Sequence, residues 1–223
     1  MNYQWDFSGL VPYLPAFAKG LLVTLELAFL SSIIGTLLGV PLAVGLRASW
    51  LISAPVWAIV DVIRAIPNLV LIFFFYYFPY QQLLGLPAFS GFTCVLIALS
   101  VAQAAYSADL IRAAIQQVPR SQVLGVLGIG LKPKQVLTHV MIPSVVKQAL
   151  PGHIALWIGN IKLTSLASVI GVTDIVYVAK LSMAQNFRSL EAWLFVALIY
   201  VAIVLPCTLA LRQLERSNWI LRQ

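Results

Sequence analysis

Apolar residues gather into long runs along this chain, and polar stretches separate them. A helix needs about 20 apolar residues to cross a hydrocarbon layer roughly 30 Å thick. The pattern meets that length over residues 17–46, 55–84, 90–118, 145–171 and 191–211, and so predicts five transmembrane helices. The first run has Glu26 as its lone acid and carries Gly35, Gly39 and Gly45, small residues that let neighbouring helices approach closely. The second divides into a start bearing Asp61 and Arg64, then Pro67, then the very apolar Leu69 to Phe78. Proline removes a backbone donor, so a kink or restart is expected there. The fourth run is interrupted by Asn160, Lys162, Thr164 and Ser165, and a break is expected near 160–166.

Between the third and fourth runs, residues 119–143 are much less apolar and read as a loop with short helices. Residues 1–18 hold Asp6, Pro12 and Pro15 without a basic start, and read as an interfacial segment rather than a cleaved leader. The expected architecture is therefore one all-α, polytopic membrane domain over 1–223.

Cationic residues orient it, because cytoplasmic loops carry the excess of Lys and Arg. With the N-terminus outside, the cytoplasmic side receives Arg47, Arg112, Arg120, Lys132, Lys134, Lys147, Arg212, Arg216 and Arg222. The outer side receives only Lys19, Lys180 and Arg188, so the chain is expected to run N-out and C-in.

Composition agrees with a lipid solvent: 61% of residues are hydrophobic and 9% charged, against about 45–50% and about 25% in soluble domains. The net charge of +7 is scattered among the apolar runs and forms no continuous basic face, which argues against a nucleic-acid partner. Cys94 and Cys207 lie inside apolar runs without CxxC spacing or a nearby histidine cluster, so neither a disulfide nor a metal site is expected.

Ionisable groups within membrane spans cost about 2.5–3.5 kcal/mol on insertion scales, and each needs a partner or a function. Asp61 and Arg64 are three residues apart, as are Asp109 and Arg112, so each couple can pair on one helix face as a structural neutralisation. A gating role is the alternative for these residues. Glu26 has only apolar residues at positions 22, 23, 29 and 30, and must find a partner on another helix, face water or be protonated. Glu26, Asp61, Arg64, Asn160, Lys162, Thr164 and Ser165 are thus the candidates for a substrate path or gate. No catalytic constellation is expected, since His139 and His153 lack acid or thiol partners at useful spacing.

The polar segment has its own signature. Gly128, Ile129, Gly130, Leu131, Lys132 and Pro133 suit a tight turn between two short helices, with Gly130 free to take positive φ and Pro133 able to start the next helix.

At this point the chain resembles the membrane permease subunits of bacterial ABC importers of the polar amino-acid type, from about Gly20 to Glu215. Ser121 to Gly130 aligns with that family's cytoplasmic EAA loop, G-Q-x-E-A-A-x-x-L-G. Gln122 and Gly130 match it, whereas Leu124 stands for the glutamate and Gly125 and Val126 for the alanines. Ile63 to Val70 resembles F-R-G-x-P-L-x-V, and Ala105 to Pro119 resembles A-Y-x-A-E-I-x-R-x-A-I-x-x-V-P. Met141-Ile142-Pro143 matches I-L-P, and Lys162 to Leu166 matches K-x-T-S-L.

The resemblance implies an inner-membrane permease that pairs with an identical or sister subunit, receives solute from a periplasmic binding protein, and is driven by a cytoplasmic ABC ATPase dimer. It implies that Arg120, Gln122, Leu124, Gly125, Gly128, Gly130, Leu131 and Lys132 form the ATPase-coupling surface. No G-x-x-x-x-G-K-[ST] run is present, so ATP and Mg are expected on the partner ATPase, with no cofactor held by this chain. An ATP-independent channel or scaffold is the competing class, and copurification with a nucleotide-binding subunit discriminates the two.

Overall fold

The computed structural model describes residues 3–216; Arg222 lies outside them, and the side chain of Arg216 is not described. Every regular element among the described residues is helical, in agreement with the all-α expectation. The order is a 3-10 turn at Ser8–Tyr13, then α1 (Leu14–Gly45), α2 (Trp50–Ala65), α3 (Asn68–Tyr77), α4 (Tyr80–Leu84) and α5 (Gly91–Gln117). There follow α6 (Arg120–Gly128), α7 (Pro133–Val136), a π-helical turn at Leu137–Met141, α8 (Ile142–Leu163) and a 3-10 segment at Thr164–Ile170. The chain closes with α9 (Ile175–Asn186) and α10 (Ser189–Arg216).

Among the described residues, four helical runs are long and apolar enough to span a membrane: Ser8–Gly45, Gly91–Gln117, Pro133–Ile170 and Ser189–Glu215. The second apolar stretch is different, since α2 and α3 bend by 102° at their junction. At about 1.5 Å per residue the two arms reach only about 24 Å and 15 Å, so neither crosses alone. The cause is local: Ile66, held before Pro67, takes an extended backbone with ψ 127°, which ends α2 and lets Pro67 cap α3.

The fourth run is more continuous than its polar residues suggest. α8 tightens into 3-10 geometry at Thr164 and runs on to Ile170, where Gly171 at φ +83° stops it. Its other end begins at Pro133, inside the stretch read from sequence as a loop to 143. Pro143 supplies no amide donor, and the π turn just before it, closed by Ile142 N–H on the Leu137 carbonyl, absorbs the mismatch.

The centre of the bundle is the seam between α1 and α5. Gly35 and Gly39 face Ser100, Gln103 and Ser107: a Cβ on Gly39 would come 2.6 Å from Ser107 Cβ, and one on Gly35 would come 2.8 Å from the Ser100 carbonyl oxygen. Around it Leu27, Ile72, Val95, Ala98, Leu99 and Ala167 form an apolar core. α10 lies on the outside with an almost wholly exposed apolar surface, as a lipid-facing helix requires.

Candidate functional site

The segment between the third and fourth spans forms a compact double turn of helix. α6 has no buried residue, and Leu124, Leu127 and Ile129 stand exposed on it. Its end is a Schellman motif: Gly130, at φ +90°, donates its N–H to the Leu127 carbonyl at 3.0 Å, and Leu131 N–H reaches back to the Val126 carbonyl at 3.2 Å. Lys132 then caps α7, its N–H donating to Gln135 Oε1 at 2.9 Å, with Pro133 at the first helical position. The result is a stiff, apolar-tipped corner joined end to end with the fourth span. Arg120, Gln122, Gly125, Gly128 and Lys132 are exposed along it and Leu131 is half-buried.

A second cluster ties α2 to α5. The Asp61–Arg64 pairing expected from spacing is not formed: Arg64 Nη1 lies 3.1 Å from Asp109 Oδ2, and Asp61 is exposed. Asp109 also receives Arg112, with Nη2 to Oδ1 at 2.6 Å and Nε to Oδ1 at 3.1 Å, so one carboxylate bridges two guanidiniums. The half-buried Asp109 wins because water competes less there than at Asp61. Each guanidinium also covers an aromatic face, Arg64 above Tyr106 at 5.5 Å and Arg112 above Trp57 at 4.6 Å. Asp109→Ala leaves both cations without their anion and is expected to cost about 1–3 kcal/mol, moderated by partial solvent access. Asp61→Ala is expected to stay within about 0.5 kcal/mol. Thermal melting of the purified chain in detergent compares the two.

The remaining polar candidates separate. Asn160, 2% exposed, donates from Nδ2 to Ser31 Oγ at 2.7 Å and Ser32 Oγ at 3.1 Å, joining α8 to α1. Thr164 and Ser165 turn back on their own helix, donating to the Ile161 and Lys162 carbonyls, each at 2.7 Å. Lys162 and Glu26 are exposed, with no ion-pair partner among the described residues. The structure therefore does not bring the seven path candidates together: three make internal bonds, Arg64 joins the Asp109 cluster, and Glu26, Asp61 and Lys162 face outward.

Residues not singled out from sequence hold the opposite end of the bundle. Glu191, fully buried, accepts from Tyr3 Oη and from Asp6 N–H, and Arg188 lies beside both acids. Asn186 Nδ2 donates to the Gly9 carbonyl at 3.2 Å, and Tyr13 bonds Gln185. The N-terminal segment is thus strapped across the α9–α10 corner. At the other end of α9, Asp174 is fully buried and caps the helix, its Oδ1 accepting from Tyr177 N–H at 2.7 Å. A Thr-Asp pair immediately before an apolar helix is an N-cap signal visible in sequence. Its burial is not, because the neighbours come from α1 and α10.

Among the described residues no group of three or more His, Cys, Asp or Glu is placed to hold a metal. This architecture, four long apolar helices and a broken fifth among the described residues, defines a polytopic helical membrane protein. The chain belongs to the family of binding-protein-dependent transport system inner membrane components, which it matches over residues 13–219. It is 31% identical over 198 residues to the arginine ABC transporter permease protein ArtQ of Haemophilus influenzae, covering 87% of this chain and 89% of that protein. It is 30% identical over 222 residues to the glutamine transport system permease protein GlnP of Escherichia coli, covering 98% and 100%. Among solved structures, that of an amino acid ABC transporter superposes with a TM-score of 0.86 at 30% identity, over 96% of this chain and 100% of the other. The methionine ABC transporter MetNI shares the fold, with a TM-score of 0.75 at 19% identity over 93% and 98%.

Proposed function

We propose that this chain is the permease subunit of an ATP-driven importer that moves polar amino acids or related compounds, opine-like ones included, across the inner membrane. It runs N-out and C-in, pairs with an identical or sister permease, and takes solute from a periplasmic binding protein. Its partner ATPase holds ATP and Mg. Relatives described as arginine, glutamine and glutamate/aspartate permeases, at 30–31% identity over nearly their full lengths, support the substrate class.

The observation that carries the mechanism is the corner from α6 to α7. A surface that receives mechanical force must be rigid and must present contacts to its partner. The Schellman turn at Gly130 and the capped start of α7 supply rigidity, while exposed Leu124 and Leu127 supply apolar contact. With leucine in place of the family's glutamate, docking on the ATPase rests on shape and apolar burial at this position, at about 25 cal/mol per Å² buried. Closure of the ATPase dimer would draw two such corners together, and the unbroken helix from Pro133 to Ile170 would carry that movement into the bundle.

The test is purification from native membranes followed by uptake in vesicles. The expected result is copurification of a nucleotide-binding subunit and amino-acid uptake that requires ATP. Labelling of Leu124→Cys by an impermeant reagent from the outer face, or full-speed uptake without nucleotide, would refute the reading.

A further inference from the structure

Two acids are fully buried among the described residues; Glu191 bonds the N-terminal strap, whereas Asp174 keeps one oxygen without a partner. Asp174 is fully buried where the end of the fourth span, α9, α1 and α10 meet. Its Oδ1 caps α9, but its Oδ2 has no hydrogen-bond partner. The Tyr200 hydroxyl, reaching in from α10, is also buried and unpartnered, and it lies near Asp174 and the hydroxyls of Thr24 and Thr164. α1 closes the site tightly: Ile175 N–H donates to Thr24 Oγ1 at 3.4 Å, and a Cβ on Gly20 would come 2.9 Å from the Asp174 carbonyl carbon. The adjacent Thr173 lines an open cleft with Tyr76, Phe92 and Val172.

The geometry points to Asp174 as a positioning residue that acts as a proton-sensitive latch, holding α9 against α1 and α10 when protonated and releasing it when ionised. This rests on the permease reading, whose N-out, C-in orientation puts this corner at the outer end of the bundle. A carboxylate with one oxygen buried and unpartnered is disfavoured, whereas the neutral acid leaves no charge sealed from water. Ionisation is relieved only by hydration, which requires the corner to part.

The charged and titratable surroundings are few. Lys180 on α9 acts on the carboxylate and is itself bonded to Ser168 Oγ at 3.0 Å. α10 contributes Tyr200; α1 contributes Thr24 and, at its exposed flank, Lys19; the 3-10 segment Thr164–Ile170 contributes no ionisable group. Arg188 and Glu191 lie at the far end of α9 and bond the N-terminal strap.

Burial pushes the Asp174 carboxyl up to about 6, and the Tyr177 amide and Lys180 only partly oppose it. The ordinary value is 3.8, so the packed corner binds the proton more tightly than a hydrated one. Its advantage is complete below the ordinary value and is lost as pH rises through about 6.

The experiment uses the full chain in nanodiscs without the ATPase, with Cys207 replaced by Ala, Cys94 being buried, and nitroxide labels at Ala184 on α9 and Leu22 on α1. Electron paramagnetic resonance distances are read on both sides of the value of about 6. The expected result is one short distance at acid pH and an added longer population at neutral pH. Asp174→Asn, which keeps an oxygen to cap α9 but cannot ionise, is expected to hold the short distance throughout.

Should that variant fail to fold, Lys180→Met removes the cation that favours the ionised form and is expected to move the appearance of the longer population to higher pH. An unchanged pH response in Asp174→Asn, or an unshifted one in Lys180→Met, overturns the latch, as does a parent chain whose distance ignores pH. Because no motor or solute is present, a failure here is separate from a failure of ATP-driven uptake.

Discussion

Gly130→Val is expected to abolish ATP-dependent uptake and association with the ATPase while the chain still inserts into the membrane. Gly130 sits at φ +90°, where a β-branched side chain is strained, and both hydrogen bonds closing the α6 end depend on that conformation. A left-handed non-glycine residue costs roughly 1–2 kcal/mol, and valine stands at the upper end, enough to disfavour the turn about tenfold or more. No neighbour crowds the position, so the effect is confined to the turn. The matching control is Ser121→Ala, on exposed α6 but outside the coupling residues, where helix propensity improves slightly. Uptake assays together with native-gel migration of the assembled complex measure the contrast. Normal uptake by Gly130→Val would remove the coupling assignment.

The second large effect is on the bundle itself. Gly35→Leu is expected to destabilise the fold by about 3 kcal/mol or more and to deplete folded chain from the membrane. The first added carbon already meets the Ser100 carbonyl oxygen and the buried stem of Gln103, and neither backbone nor core side chain can move aside cheaply. Gly159→Ala in α8 provides the comparison, since its methyl enters open space. Fluorescence-detected size exclusion after heating, applied to both variants, separates them; equal melting of Gly35→Leu and the parent chain would show that the α1–α5 seam is slack.

These two glycines teach different things about reading the chain. Gly130 declares itself in the sequence, because a second glycine three residues before a proline, between two helical patterns, has few conformational uses. Gly35 declares only that some helix comes close. Its partners lie on α5, more than sixty residues away, and no local pattern names them. The same division holds for charge. Spacing alone makes Asp61 a partner for Arg64, yet Arg64 turns to Asp109, because the proline-enforced bend after α2 lays its end along α5. Asn160 likewise reads as a path residue until Ser31 and Ser32 arrive from α1 to accept its protons. The N-terminal residues read as interfacial, and only the folded chain brings Tyr3 and Asp6 to Glu191.

Hydrophobic runs, the cationic bias of the loops and the turn chemistry around Gly130 are properties of neighbouring residues, and for that reason the helical membrane class and the tight turn at Gly130 are written in the sequence by itself. Which spans are straight, which acid serves which arginine, and which carboxylate is sealed from water depend on residues tens or hundreds of positions apart. Those were decided only when packing without voids brought α1, α5, α8, α9 and α10 together and left each buried polar group to find what the opposing helix offered.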